Sequence, residues 1–181
     1  MRSRAAILDA AARLLGRAEA TVEDVATAAG VSRQTVYAHY PSRDALRAAA
    51  FAHAVSAALA ALDAAEPDRG PAVPALLRVL DASWRTLERY PVLLDPPPAD
   101  PGPAADWARH EPVVHRLERI VRRGQQAGEI DAGRPSAWLV SATLGLGHAA
   151  AGQVAAGLLP ADRAAAELSI AVRRVLGGQP G

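Results

Sequence analysis

Three side chains between residues 33 and 38 have the types and the spacing that recognise the edges of DNA bases. Arg33, Gln34 and Ala38 lie in a short helical pattern over residues 33–40 and share its outer face. An arginine pairs bidentately with guanine, a glutamine pairs with adenine, and an alanine methyl group contacts the methyl group of thymine. The segment therefore predicts a helix that enters the major groove of DNA.

The residues around this helix predict how it is held. Gly30 follows an apolar helical pattern and stands where the end of a helix needs a positive φ. Ser32 is a candidate N-cap for the short helix, and Pro41 ends it. Two short helices joined by a glycine-containing turn form a helix-turn-helix. Because positions four apart share a helix face, three apolar residues are expected to pack on the first helix: Val31, Val36 and Tyr40.

Further capping signals flank this motif. Thr21 starts the second helix, and Asp24, three residues later, makes an approximate capping box. Ser42 caps the fourth helix. The hydroxyl of Thr21 and the nearby N–H groups are predicted to contact a DNA phosphate. Arg2 and Arg4 form either an arm that reaches the minor groove or a solvated terminus.

The charge balance allows a local DNA-binding surface but not a polycationic protein. The 181 residues carry a net charge of only +1, and residues 1–47 hold seven arginines against five acidic residues. All twenty basic residues are arginine, which indicates G+C-rich coding and makes guanidinium groups the phosphate contacts. Any nucleic-acid-binding surface must therefore be a local basic patch, because the protein as a whole carries almost no net charge.

Several classes of protein are excluded by composition. The chain has no cysteine, which excludes disulfides, thiolate metal sites and a cysteine nucleophile. Its first residues show no apolar signal region, so a cytoplasmic location is expected. Residues 135–161 contain no Asp, Glu, Lys or Arg, but alanine and glycine dominate there. We interpret that segment as a helix buried among other helices and expect no membrane partner.

Helical periodicity covers nearly the whole chain and predicts an all-α fold of about nine helices. The proline-rich residues 95–103 are predicted to form a mobile loop. Residues 1–47 are predicted to be a three-helix, helix-turn-helix DNA-binding domain, and residues 48–181 a larger ligand-binding and dimerisation domain. Beyond the first three helices, the pattern predicts helices over residues 43–65, 72–89, 104–109, 111–126, 136–158 and 160–176.

The run G-V-S-x-x-T-x-Y-x-H-Y-x-S-R-D-x-L, residues 30–46, resembles the tetracycline-repressor (TetR) family of transcriptional regulators. The resemblance is specific over residues 7–46, with Tyr40 and Arg43 where the family usually has Phe and Lys. Beyond residue 50 only the architecture and the R-R-G-Q-Q-A-G-E-I stretch, residues 122–130, look familiar. Glu23 stands where some relatives carry a basic base-reading residue, which suggests a cytosine contact or none. The resemblance implies phosphate contacts from four residues: Thr35, Tyr37, His39 and Arg43.

The resemblance also implies a homodimer that binds operator DNA and a small-molecule effector, with no cofactor. Small residues at spacings of three and four in the charge-free helix would allow close approach of helices: Ala142, Gly145, Ala149 and Gly152. We predict that they form a four-helix dimer interface with the last helix, although a contact within one chain is the alternative. A twofold dimer would set two recognition helices about 34–36 Å apart on a palindromic operator.

An apolar effector pocket with a few polar groups is expected in the body. The spacing of His110 and His115, five residues apart around Pro112, provides no third ligand for a metal site. Ser141 and Thr143 lie in no nucleophile motif, so no catalytic residue is predicted. Six residues are candidates to line this pocket: Trp84, Trp107, His110, His115, Trp138 and His148. The alternative for each of them is a purely structural role in the packing of the core.

The primary interpretation is a dimeric, ligand-responsive transcriptional regulator, most often a repressor in this family, and not an enzyme. Effector binding would tilt the fourth helix, change the separation of the two heads and lower the affinity for the operator. A DNA-binding arm of a recombination system is a weaker interpretation because 181 residues leave no room for a catalytic domain. A helical small-molecule-binding protein or enzyme with an accessory DNA-binding head is the other alternative.

Overall fold

A computed structural model describes residues 2–16, 19–94 and 103–177, with the side chains of residue 2 and residues 103–110 excepted. The described residues form eight α-helices, one short 3-10 helix and no β-strand, which confirms the all-α prediction. The helices are α1 (Arg2–Leu14), α2 (Val22–Ala29), α3 (Arg33–His39), α4 (Arg43–Ala64), α5 (Ala72–Arg89), the 3-10 helix (Pro91–Leu94), α6 (Pro103–Gln126), α7 (Ser136–Ala155) and α8 (Ala161–Val175).

The prediction of separate helices over residues 104–109 and 111–126 was wrong. Both segments belong to α6, which continues through Pro112. A proline removes one N–H and displaces the carbonyl one turn before it. Pro112 lies at an exposed position inside α6, and the helix continues through it. Of the predicted loop, residues 95–102 lie outside the described residues, and Pro103 already begins α6.

The chain forms two compact units, which consist of Met1–Ala60 with Arg85–Ala105, and of Ala61–Trp84 with Asp106–Gly181. We call the first unit the head and the second the body. The functional division at residue 47 stays a prediction. The core of the head contains the apolar faces of α1, α2 and α3, with Ile7, Val25 and Leu46 fully or almost fully buried.

Residues far from the helix-turn-helix complete the head. Tyr90 and Val92, which follow α5, are 5% and 0% exposed and belong to the same hydrophobic core as the first three helices. Gly16 lies directly on this segment, because a Cβ added there would overlap the backbone of Pro91 and Val92. The Tyr90 hydroxyl donates a hydrogen bond of 2.9 Å to Asp9 of α1. The head therefore has a core that the first 60 residues alone do not supply.

The stretch over residues 122–130 links the end of α6 to the start of α5. Gly128 has a φ of 74°, which only glycine adopts readily, and it follows the end of α6. The Glu129 carboxylate accepts hydrogen bonds from the backbone N–H groups of Ala72 at 2.7 Å and Val73 at 3.3 Å. A carboxylate at this position satisfies the unpaired N–H groups at the start of α5 and favours its helix dipole. These contacts give the family-like stretch a structural role.

In the part of the chain that the structure describes, one helix is long and apolar enough to cross a membrane by composition alone. It is α4, not the charge-free α7 that the sequence singled out. Core helices of water-soluble proteins meet the same test, so this is weak evidence for a membrane span.

Candidate nucleic-acid interface

The second helix begins with a complete capping box, as predicted. The Asp24 N–H donates to the Thr21 Oγ1 at 3.2 Å, and the Thr21 N–H donates to the Asp24 Oδ2 at 2.8 Å. The Thr21 hydroxyl also donates to Asp24 Oδ2 at 2.7 Å, and these bonds lower the pKa of the Asp24 carboxyl. The proton of the Thr21 hydroxyl is therefore already engaged. A phosphate at this point would therefore accept hydrogen bonds from free backbone N–H groups in the first turn of α2 and not from this hydroxyl.

The turn between α2 and α3 has the predicted geometry. Gly30 has φ 67° and ψ 33°, the left-handed conformation that ends many helices. Its N–H and that of Val31 bond to carbonyls in the last turn of α2. Ser32 then caps α3 by accepting a hydrogen bond of 3.1 Å from the N–H of Thr35. This local chemistry fixes the start of α3 relative to α2.

The two faces of α3 divide as the sequence predicted. Val36 and Tyr40 are 1% and 5% exposed in the core, and Val31 packs against the same cluster. The outer side chains of Arg33, Gln34, Ala38 and His39 are exposed, Tyr37 is 37% exposed, and Thr35 is half-buried. The residues proposed to read bases are therefore accessible on one side of a helix whose other side is anchored.

A surface groove lies between the start of α2 and the recognition side of α3. It is lined by residues that include Thr21, Glu23, Arg33, Tyr37 and Arg43. Four predicted DNA-contacting residues therefore meet here, together with Glu23, which the sequence left without an assigned contact. We call this the recognition groove.

Two arginines border the recognition groove in different ways. Arg43 donates a hydrogen bond of 3.0 Å from Nη2 to the carbonyl of Ala20. The guanidinium carbon of Arg33 lies 5.4 Å from the centroid of the Tyr37 ring. The pKa of Arg33 is raised by the hydrogen-bonding and charge interactions with Tyr37 and, to a smaller extent, by the charge of Glu23. Neighbouring groups thus stabilise the cationic form of Arg33 at the mouth of the groove.

Arg4 does not extend from the head as an arm. It lies within α1, and its Nε donates a hydrogen bond of 3.3 Å to the hydroxyl of Tyr40. Its guanidinium carbon is 6.0 Å from the Tyr40 ring centroid. Tyr40 therefore packs in the core while its hydroxyl holds a basic side chain at the edge of the head.

The body places the predicted pocket residues in different environments. Trp84 is buried, whereas Trp138 is 50% exposed with the guanidinium carbon of Arg134 at 5.6 Å from its ring centroid. His115 and His148 are also exposed. The assignment of these residues to an effector pocket stays a prediction. The side chains of Trp107 and His110 lie outside the described residues.

The small-residue stripe of α7 faces outward over most of its length. Gly145, Ala149 and Gly152 are exposed, and Ala142 is half-buried. A Cβ added at Gly145 or Gly152 would meet no heavy atom within 4 Å. Helix α7 contacts α8, and Leu139 and Val140 of α7 are fully buried. The stripe is therefore an accessible surface on which another helix can approach closely.

Comparison with known proteins decides the family. The model for bacterial regulatory proteins of the tetR family matches residues 7–50. The HTH-type transcriptional repressor LfrR of Mycolicibacterium smegmatis (strain ATCC 700084 / mc(2)155) is 40% identical over 94 residues, which are 51% of this chain and 48% of that protein. In this match the chain spans about half the length of its curated relative.

The crystal structure of LfrR from Mycobacterium smegmatis in complex with proflavine has 30% sequence identity and a TM-score of 0.70, covering 99% of this chain and 100% of that one. The chain belongs to the tetR family of bacterial regulatory proteins.

Membership of the TetR family makes the chain a helix-turn-helix transcriptional regulator, as its motif predicted. The likeness of fold extends to more distant proteins. FadR from Bacillus subtilis in complex with stearoyl-CoA has a TM-score of 0.71 at 16% identity, covering 98% of this chain and 100% of that one. At that identity the likeness concerns the fold alone.

Proposed function

We propose that this TetR-family regulator is a cytoplasmic, homodimeric repressor that binds a palindromic operator and releases it when a small-molecule effector binds. The exposed recognition side of α3 carries the proposal. Arg33, Gln34 and Ala38 are accessible there, while Val36 on the opposite side is 1% exposed in the core. Such an arrangement presents base-reading groups on a rigid support.

Phosphate contacts would surround this reading surface. Thr35, Tyr37 and His39 lie on α3, Arg43 begins α4, and Thr21 precedes α2. Phosphate contacts of this kind set the register of a protein on DNA and carry no sequence information themselves. His39 is the basic residue in the last turn of α3, where a cation also favours the helix dipole.

A homodimer is supported by the outward-facing stripe of α7. Gly145 and Gly152 leave open space above the helix, and the exposed Ile170 of α8 adds apolar surface. A second copy related by a twofold axis would cover both helices and form a four-helix interface. The same axis would place two copies of α3 about one DNA turn apart.

The effector is proposed to be a small organic molecule that binds the body. LfrR, 30% identical to this chain, crystallises with proflavine, and this makes a planar aromatic cation the first probe to use. A molecule that binds the DNA-incompetent conformation better would shift the population away from the operator-bound state. The energetic coupling would be reciprocal, so operator DNA would weaken effector binding by the same factor.

The operator-binding part is tested with purified full-length protein and the DNA upstream of its own gene. Fluorescence anisotropy across a range of salt should reveal sequence-preferring binding that Arg33→Ala and Gln34→Ala weaken. Arg69→Ala removes the same charge as Arg33→Ala from an exposed site in the body and should leave binding unchanged. If no DNA sequence is preferred at any salt concentration, the repressor proposal is wrong.

The dimer is tested by sedimentation equilibrium of the wild type and of Ala149→Arg. The arginine would introduce a charge into the proposed interface and should convert the dimer into a monomer. Ala132→Arg, at an exposed position between α6 and α7, is the matched control and should remain dimeric. A wild-type monomer, or a dimer unaffected by Ala149→Arg, would contradict the proposed interface.

The effector part is tested first without DNA, because a planar cation also binds nucleic acid. Proflavine fluorescence is titrated with the protein alone, and operator affinity is then measured at saturating proflavine. An unrelated DNA-binding protein on its own site controls for direct effects of proflavine on DNA. Binding to the protein without a loss of operator affinity would reject proflavine as an effector.

A further inference from the structure

The base-reading arginine of the recognition groove is held by its neighbours. Arg33 and Tyr37 are separated by one helical turn of α3, and the guanidinium carbon of Arg33 lies 5.4 Å from the Tyr37 ring centroid. This distance is within the range of a cation–π contact. Tyr37 is 37% exposed, so this pair lies at the surface that would face DNA. The tyrosine ring therefore restricts the directions in which Arg33 can extend.

An acidic side chain occupies the same groove from the other helix. Glu23 is exposed in the first turn of α2 and lines the recognition groove with Arg33 and Tyr37. A carboxylate facing DNA is repelled by phosphates unless a cation accompanies it. Arg43, the other arginine of the groove, is bound to the carbonyl of Ala20. Arg33 is thus the cation whose guanidinium Glu23 can orient.

We propose that Tyr37 and Glu23 determine sequence specificity by acting through Arg33. The tyrosine ring fixes the plane of the guanidinium and the Glu23 carboxylate fixes its direction, so that Arg33 selects guanine at one position of each half-site. This inference rests on the proposed operator-binding function. Tyr37 and Glu23 are positioning residues here, since the atoms that touch the base belong to Arg33.

The physical basis is the cost of ordering a long side chain. A free arginine loses rotamer entropy when it is ordered, and bidentate pairing with guanine O6 and N7 requires one plane and one direction. A guanidinium held against a ring has already lost part of that freedom. The matched geometry then favours guanine over other bases instead of raising affinity for every sequence.

The experiment is selection of binding sites from random DNA by the full-length protein, with sequencing of the bound pool. The wild type should select guanine at one symmetric position, and Arg33→Ala should abolish that preference. Tyr37→Leu should reduce it about two- to fivefold, the range that an exposed cation–π contact supports. Glu23→Gln should reduce it by up to about fivefold, the range of an exposed charge pair. Tyr37→Phe keeps the ring and loses the hydroxyl that also interacts with Arg33, so it should retain more of the guanine preference than Tyr37→Leu does, even if affinity falls equally for all sequences.

Matched controls separate specificity from charge and folding. Asp44→Asn removes one negative charge from an exposed site of the head at the start of α4 and should leave the preference unchanged. Thermal unfolding followed by circular dichroism verifies that each variant is folded. If Glu23→Gln alters the preference at a base pair other than the one lost in Arg33→Ala, then Glu23 reads a base directly and the inference is overturned. Unchanged selection by both Glu23→Gln and Tyr37→Leu overturns it too, whereas a wild type that selects no sequence instead rejects the operator-binding proposal.

Discussion

Tyr90 and Asp9 are 81 residues apart in the sequence, and a hydrogen bond of 2.9 Å joins the hydroxyl of Tyr90 to Oδ1 of Asp9. Asp9 also pairs with Arg13 at 2.8 Å and with Arg89 at 3.5 Å, while the rings of His53 and Tyr90 lie in a T-shaped arrangement. The carboxylate thus ties the end of α5 to α1. The segment that follows α5 therefore completes the DNA-binding head.

Loss of the Tyr90 hydroxyl should destabilise the head. We expect Tyr90→Phe to lower the free energy of unfolding by about 1–2 kcal/mol, near the lower end for a hydrogen bond to a charged group because Asp9 is partly exposed. Urea unfolding followed by circular dichroism measures this change. Tyr37→Phe removes a hydroxyl at the surface and should change stability little. Equal stability of Tyr90→Phe and the wild type would mean that the bond to Asp9 contributes nothing.

The same tyrosine predicts a loss of stability at alkaline pH. Burial, followed by the hydrogen bond to Asp9 and the charge of Asp9, raises the pKa of Tyr90 above its usual value of 10.0. As pH rises through about 10, the unfolded chain releases this proton before the folded chain does, and the stabilisation that Tyr90 provides at lower pH is lost. The difference in stability between wild type and Tyr90→Phe should therefore shrink from pH 8 to pH 11 in urea titrations. A constant difference over that range would contradict the raised pKa.

The close packing at Gly16 predicts that a larger residue at this position destabilises the head. A methyl group at Gly16 would overlap the backbone of Pro91 and Val92, which cannot rotate away as a side chain can. Gly16→Ala should cost at least about 1–3 kcal/mol, the range for overpacking. Gly147→Ala is the control, since open space surrounds that position in α7. Thermal unfolding should show a lower Tm for Gly16→Ala alone.

Gly30 predicts strain of a different kind. A Cβ at Gly30 would meet no heavy atom within 4 Å, so the only penalty of Gly30→Ala comes from its φ of 67°. The left-handed conformation costs about 1–2 kcal/mol for an ordinary residue. Gly30→Asn should recover much of this loss, because asparagine tolerates that conformation better than alanine. A Tm for Gly30→Asn below that of Gly30→Ala would rule out this explanation.

Stability and DNA binding should respond to different faces of the head. Leu46 is 1% exposed in the core, so Leu46→Ala should cost about 2–5 kcal/mol. Arg33 is exposed, and Arg33→Ala should change stability by no more than about 0.5 kcal/mol while it weakens operator binding. Urea unfolding and anisotropy on the same preparations measure both effects. A large loss of stability in Arg33→Ala would assign that residue a structural role.

Much of the helix-turn-helix could be predicted because its signals are local. Thr21 with Asp24, Ser32 with Thr35, and the left-handed Gly30 act over three or four residues, and the structure confirms each of these contacts. The recognition groove was only partly predictable. Glu23 belongs to it, but the sequence does not reveal that a side chain at the start of α2 lines the same groove as Arg33.

The body was harder to predict, since apolar periodicity identifies a buried face but not its partner. Tryptophan and histidine suggested a pocket, yet Trp138 is half exposed and stacked under Arg134. The sequence also predicted two helices, over residues 104–109 and 111–126, where the structure has the single helix α6. The residue type of Trp138 allowed a buried or an exposed environment, and sequence spacing could not decide between them.

The sequence by itself determined the helical class, the caps and turn of the helix-turn-helix, and the division of α3 into a core face and an outer face. These depend on backbone conformation and hydrogen bonds between near neighbours. Only the tertiary structure decided that Tyr90 and Val92 complete the head and that Arg33 lies near the Tyr37 ring in a groove shared with Glu23. The first requires a contact across 81 residues, and the second requires a side-chain direction that sequence spacing permits without selecting.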